Sequence, residues 1–125
     1  MQEIFDSLSK SIDRLRDILS EEKTVANRDS AIQRFEFTSE LSWKIMQKFL
    51  RENGIVCRSP KACLVESFKY GLIEDDKRWI EMLKDRNLTS HTYDEGTAEA
   101  VYERLLGYLE LFENFKQKME KELEL

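Results

Sequence analysis

Residues 98–119 read AEAVYERLLGYLELFENFKQKM, and this stretch decides the fold. Ala98, Val101, Leu105, Tyr108, Phe112, Phe115 and Met119 recur at alternating three- and four-residue steps, which aligns all seven on one face of an α-helix. A stripe of that length has to be covered by other helices. Tyr102, Leu106, Leu109 and Leu111 fall outside it, more apolar surface than a single four-helix core needs. Homodimerisation through a helical face is the expected way to cover the excess, the alternative being a monomer with a greasy surface.

Working back towards the N-terminus, the same periodicity gives partners. Phe5, Leu8, Ile12, Leu15 and Leu19 draw one apolar stripe along residues of about 3–21. Ala31, Phe35, Thr38, Ser42, Ile45 and Phe49 share a face of a helix over about 28–52, widened by Ile32, Leu41, Trp43 and Met46 and stopped by Gly54. Ser59 followed by Pro60 reads as an N-cap and first helical residue, opening a short helix that Gly71 closes. Asp75 or Asp76 is expected to cap a fourth helix with Trp79, Met82 and Leu83 on its inner side, and Gly96 to separate that helix from the fifth. The charged residues 116–125 are expected to fray. No segment alternates as a strand does. The expectation is all-α: an antiparallel, up-and-down bundle of four to five helices, forming one domain over residues 1–125.

Composition narrows the class of function. A net charge of −5 argues against a broad basic surface for nucleic acid but leaves room for a local basic pocket. No apolar run is long enough to span a bilayer and no signal peptide is evident, so a cytoplasmic location with reduced thiols at Cys57 and Cys63 is expected. A zinc site on those two cysteines would need two further ligands, and the chain has one histidine, so neither metal nor cofactor is expected.

Chemistry concentrates in residues 86–93, RNLTSHTY. His91 is the one side chain of this segment that both gives and takes a proton near neutrality. Asn87 precedes it by four residues, on the same face of a continuing helix, where its amide would orient the ring. Arg86 precedes Tyr93 by seven, and a guanidinium suits phosphate oxygens. The set fits RNA cleavage by attack of a ribose 2′-hydroxyl. On the residues alone a plainer role is the stronger reading, with Arg86 and His91 as cations capping a helix C-terminus. Glu36 and Glu40, four apart, are expected to divide their roles: one pairs with Arg86 or another cation and the other is solvated. Tyr102 is a candidate pocket residue whose plainer role is packing, and Trp43 and Trp79 are read as core or interface. Asp94 and Glu95 are unhelpful to RNA binding and are candidates for presenting Tyr93 to a cationic partner.

Arg86, His91 and Tyr93 together form R-x4-H-x-Y. That motif resembles the active motif of HEPN-domain toxins that pair with minimal nucleotidyltransferases. Residues 34–44, RFEFTSELSWK, resemble the helix-two signature of the nucleotidyltransferase substrate-binding branch of that superfamily. The resemblance spans nearly the whole chain. It implies a HEPN-like dimeric bundle and a metal-independent endoribonuclease, with Arg86 and His91 catalytic and Asn87 supporting them. It also implies a minimal nucleotidyltransferase antitoxin that transfers AMP from ATP to Tyr93, RNA as the substrate, and no membrane partner. Its alternative is a non-catalytic substrate-binding subunit of a two-chain nucleotidyltransferase.

Overall fold

The computed structural model describes residues 1–124. Five α-helices follow in order: α1 (Gln2–Ser20), α2 (Val25–Glu52), α3 (Pro60–Tyr70), α4 (Arg78–Leu88) and α5 (Glu95–Glu122), with a 3-10 turn at Thr89–His91 between the last two. The connections are short, so neighbours in sequence run antiparallel and form a helical bundle. The central helix is α2, which touches all four others, while α5 lies against α1, α2 and α4.

The seven-residue stripe of α5 is buried throughout, none of its members more than 1% exposed. Phe35 of α2 stacks on Tyr108 at 5.4 Å between ring centroids and leans on Phe112 at 6.3 Å. Trp79 of α4 meets Phe112 and Phe115 edge-on, each at 6.2 Å. Leu8, Ile12 and Leu15 of α1 complete the interior.

The helix boundaries follow local chemistry. Thr24 caps α2, its hydroxyl taking the Asn27 N–H at 3.0 Å, so α2 starts three residues earlier than the apolar pattern indicates. Ser59 caps α3 by accepting the Ala62 N–H, and Gly71 ends it at φ +96°, a left-handed conformation that favours glycine. Lys77 stands at the N-cap position of α4, yet the capping carboxylate is that of Asp76, which accepts the Arg78 N–H at 2.9 Å.

Four expectations are corrected. Gly96 does not separate two helices. It lies in the first turn of α5, because Asp94 caps that helix by accepting the Thr97 N–H at 2.9 Å. The tail does not fray at residue 116, since Met119 is wholly buried and carries α5 to Glu122; Leu125 lies outside the described residues. The apolar excess of α5 is largely absorbed within one chain, with Leu109 and Leu111 buried, Tyr102 half-buried and Leu106 at 69% exposure. It therefore gives no argument for a dimer.

The fourth correction is covalent. Cys57 and Cys63 are not free thiols but a disulfide, tying the chain before α3 to that helix's first turn, with Cα atoms 5.1 Å apart. Both are buried. Closing so small a ring is worth about 2 kcal/mol of unfolded-state entropy. Reductant is expected to lower the unfolding free energy by about that amount, measured by urea denaturation with and without dithiothreitol. An unchanged midpoint would speak against the bond.

Candidate functional site

Residues 89–94 form a short strap between α4 and α5. The Thr89 hydroxyl donates to the Arg86 carbonyl at 2.6 Å, Ser90 to Asn87 at 3.3 Å and Thr92 to Thr89 at 3.1 Å. Three short hydroxyl side chains thus bond carbonyls three residues back, in competition with the α-helical ladder. The chain tightens into the 3-10 turn and the helix ends. The Asp94 N–H donates to the His91 carbonyl at 3.1 Å, and the Asp94 carboxylate takes the Thr97 N–H and hydroxyl, which holds its pKa below the usual aspartate value.

This geometry changes the relations expected from helical spacing. Arg86 and Asn87 belong to the last turn of α4, His91 ends the 3-10 turn, and Tyr93 lies beyond it. Because α4 stops at Leu88, Asn87 and His91 do not share a helical face, and no hydrogen bond joins them among the described residues. Arg86 and Tyr93 are likewise not on one face. What the strap does is expose the motif: Asn87 and His91 face solvent, and Tyr93 is 84% exposed. The rings of His91 and Tyr93 stand edge to face, centroids 6.1 Å apart.

Arg86 points inward, to α2. Its Nη2 donates to Glu40, which also takes the indole N–H of Trp43 at 3.1 Å and lies 3.4 Å from the Lys44 ammonium. Burial by itself would raise the Glu40 pKa. The Trp43 bond, the charge and hydrogen bond of Arg86, and Lys44 outweigh burial and hold it below the usual glutamate value. The pair therefore contributes fully above that usual value and is lost as pH falls through the depressed one. Arg86 Nε is buried with no partner among the described residues, and Nη1 makes no bond there either. The guanidinium is thus oriented by one carboxylate without being saturated, and it does not cap its own helix.

Glu36 is exposed and lines, with Asp29, Thr89 and Thr92, a shallow depression between α2 and the strap. Among the described residues no hydrogen bond joins Tyr102 to the motif; its ring receives the Lys23 ammonium at 5.3 Å. Trp79 is core and Trp43 half-buried.

Two charged networks that brace the strap were missed in the sequence. Asp85, immediately before Arg86, is 3% exposed and receives Arg104 through two bonds of 2.7 Å and the Tyr108 hydroxyl at 2.5 Å. Burial, then the bond to Asp85, pushes the Tyr108 pKa well up against the opposing charge of Arg104. Through Tyr108 the aromatic core fixes the last turn of α4. On the other side Arg28, 2% exposed, holds Glu95 at 2.6 Å, Glu99 at 3.0 Å and Asp29, anchoring the start of α5 to α2. These bonds raise its already high pKa. Glu95 is therefore committed within the chain. The one available signal was Tyr108 itself, since a buried phenol needs a partner.

A hydroxyl-pinned strap carrying an exposed His and Tyr beside a carboxylate-oriented Arg is the kind of site that handles phosphate esters. Over residues 3–121 the chain matches the family described as nucleotidyltransferase substrate binding protein like, and it belongs to that family. It is similar to a Haemophilus influenzae protein named as a probable ribonuclease HepT, 40% identical over 84 residues, a match covering 63% of this chain and 58% of the relative. Among solved structures it resembles a crystal structure of a Thermus thermophilus protein, with TM-score 0.81 and 38% identity over 86% of this chain and 94% of that one. It also resembles a Haemophilus influenzae structure described as revealing the fold of a substrate binding domain of a nucleotidyltransferase. There the TM-score is 0.70, the identity 31%, and the coverage 94% of each chain. Among the described residues no helix is long and apolar enough to cross a membrane.

Proposed function

We propose that this chain is a HEPN-type toxin, an endoribonuclease working without metal and silenced by a minimal nucleotidyltransferase partner. The observation that carries this reading is the R-x4-H-x-Y spacing, with His91 and Tyr93 on a solvent-facing strap, Tyr93 at 84% exposure, and Arg86 held by Glu40 at the end of α4 beside it. The kinship to a probable ribonuclease supports it, with the match spanning about 58% of that relative's length. In the reaction the ribose 2′-oxygen attacks phosphorus as His91 removes its proton. The unsaturated guanidinium of Arg86 meets the charge that builds on the phosphate oxygens. The bond to the 5′-oxygen breaks, and that oxygen needs a proton. A chain with one histidine supplies it most simply from a second copy, which is the reason to expect a homodimer. Asn87, exposed and unbonded to His91, acts in this scheme by contacting RNA.

Silencing follows from the exposure of Tyr93. Its phenol oxygen attacks the α-phosphorus of ATP on the partner enzyme and gives up its proton to solvent, pyrophosphate leaves, and the AMP left behind sets bulk and negative charge beside His91. Purified chain is expected to cut single-stranded RNA without added metal. With ATP and the partner it should gain one AMP by intact mass and stop cutting. Tyr93→Phe should still cut, gain no AMP and escape silencing. RNA left intact by the unmodified chain overturns the nuclease half. The second reading, a substrate-binding subunit without activity, is favoured by the family description and by the likeness to a nucleotidyltransferase substrate binding domain. It expects the same AMP acceptor or a bound substrate, and no cutting.

A further inference from the structure

The surface between α1 and α2 stands apart from the acidic remainder of the molecule. Lys10 and Arg14 lie four residues apart on α1; Arg34, Phe37, Leu41 and Lys44 follow at three- and four-residue steps on α2. The two stripes face each other across an open groove of about 430 Å³. In a chain with 20 basic and 25 acidic side chains, this groove gathers four cations and a single carboxylate, Glu40. That carboxylate is already engaged by Arg86, Trp43 and Lys44.

Among the described residues Lys10, Arg14 and Arg34 make no ion pair, whereas Arg16, Arg28, Arg78, Arg86 and Arg104 each hold a carboxylate. Uncompensated cations brought together in this way repel one another and weaken the fold. Between them Phe37 is 45% exposed, an aromatic face open to solvent over a floor that includes Leu41. Cations spaced along a groove with an aromatic platform are the two parts of a single-strand nucleic-acid site, the cations for phosphates and the ring for a base. Glu40 belongs both to the groove wall and to the ion pair that orients Arg86. The groove therefore runs up to the candidate site.

We propose that the α1/α2 groove is the track for single-stranded RNA flanking the scissile phosphate. Lys10, Arg14, Arg34 and Lys44 hold backbone phosphates and Phe37 stacks one base. From Arg34 to Lys44 the helix rises about 15 Å, room for about four stacked nucleotides at ~3.4 Å each. Glu40, part-way along the α2 wall, keeps the charge there from trapping the strand while it holds Arg86. The track rests on the nuclease reading for its purpose, though its binding can be measured without it.

The test uses a fluorescent oligouridylate of about eight nucleotides on the full chain carrying His91→Ala, so that nothing is cut. Neutralising Lys10, Arg14 and Arg34 together to Gln should flatten the slope of log affinity against log salt by about 2 and weaken binding about 100-fold at 0.1 M salt. Phe37→Ala should weaken it about tenfold with no change in slope. Gln at Arg51 and Arg58, exposed cations outside the groove, is the control and should leave both unchanged. On the cutting-competent chain, the triple substitution should raise KM for long RNA and leave cleavage of a dinucleotide as it was. Unchanged slope and affinity would overturn the track even if RNA is still cut. So would groove variants that leave oligonucleotide binding intact but abolish co-elution with the nucleotidyltransferase or change the oligomeric state, since the groove would then be a protein interface. A chain that binds through the groove but never cuts keeps the track and loses the nuclease.

Discussion

An Asp85→Ala chain is expected to unfold about 3 kcal/mol more easily than the parent, lowering the thermal midpoint by roughly 12 °C for a domain of this size. The carboxylate is almost fully buried and accepts three bonds, two from Arg104 and one from the Tyr108 hydroxyl. Its loss leaves a phenol donor stranded in the core, because Tyr108 is 1% exposed and pressed against Phe35. Arg104 suffers less, since its side chain is 41% exposed and turns to water. Most of the penalty should therefore belong to Tyr108. Adding Tyr108→Phe removes the stranded donor and should recover about 1–2 kcal/mol relative to Asp85→Ala alone. Urea denaturation of the four chains of that cycle measures the coupling. Additive losses would mean that Asp85 does not brace α4 in this way.

The second large effect is on chemistry. His91→Ala should slow RNA cleavage about a thousandfold, the usual cost of losing a proton-transfer group, while stability stays within about 0.5 kcal/mol because the ring is exposed. Single-turnover cleavage and a thermal melt on the same preparation separate the two. Arg86→Ala should lose comparable activity but is a less clean substitution, because it also strips Glu40 of its partner. If His91→Ala cuts as fast as the parent, the nuclease reading fails and the substrate-binding reading takes its place.

Much of the fold was legible because periodicity and capping are local. The α5 stripe, the Ser59 and Pro60 pair and the Gly71 stop each depend on residues within a turn or two of one another. The misreadings came where a local signal had two meanings. Gly96 reads as a break, but a first helical turn tolerates glycine once Asp94 supplies the cap. Thr89, Ser90 and Thr92 look like neutral spacers in a continuing helix, yet their hydroxyls fold back and end it, which separates Asn87 from His91. The disulfide depends on how residues 53–59 bring two Cα atoms together, and spacing alone does not say that.

The candidate site divides along the same line. Arg86, His91 and Tyr93 are close in sequence and were found there. That Glu40, rather than Glu36, is the one that meets Arg86 is a fact of how α2 and α4 lie across the bundle. Asp85, Arg104 and Arg28 were missed for the same reason. Each is a charge whose partner lies 19 or more residues away, apart from the neighbouring Asp29 of Arg28.

The edge-to-face pair of His91 and Tyr93 has a spectroscopic use. The chain holds one histidine, so its imidazole C–H signals in a proton NMR spectrum need no assignment. The tyrosine ring 6.1 Å away lends them a ring-current shift. A nucleotide added to Tyr93 would move that ring and bring a purine and a phosphate near it. One pair of resonances, followed through a pH titration, thus reads strap conformation, proton affinity and modification state together, in unlabelled protein.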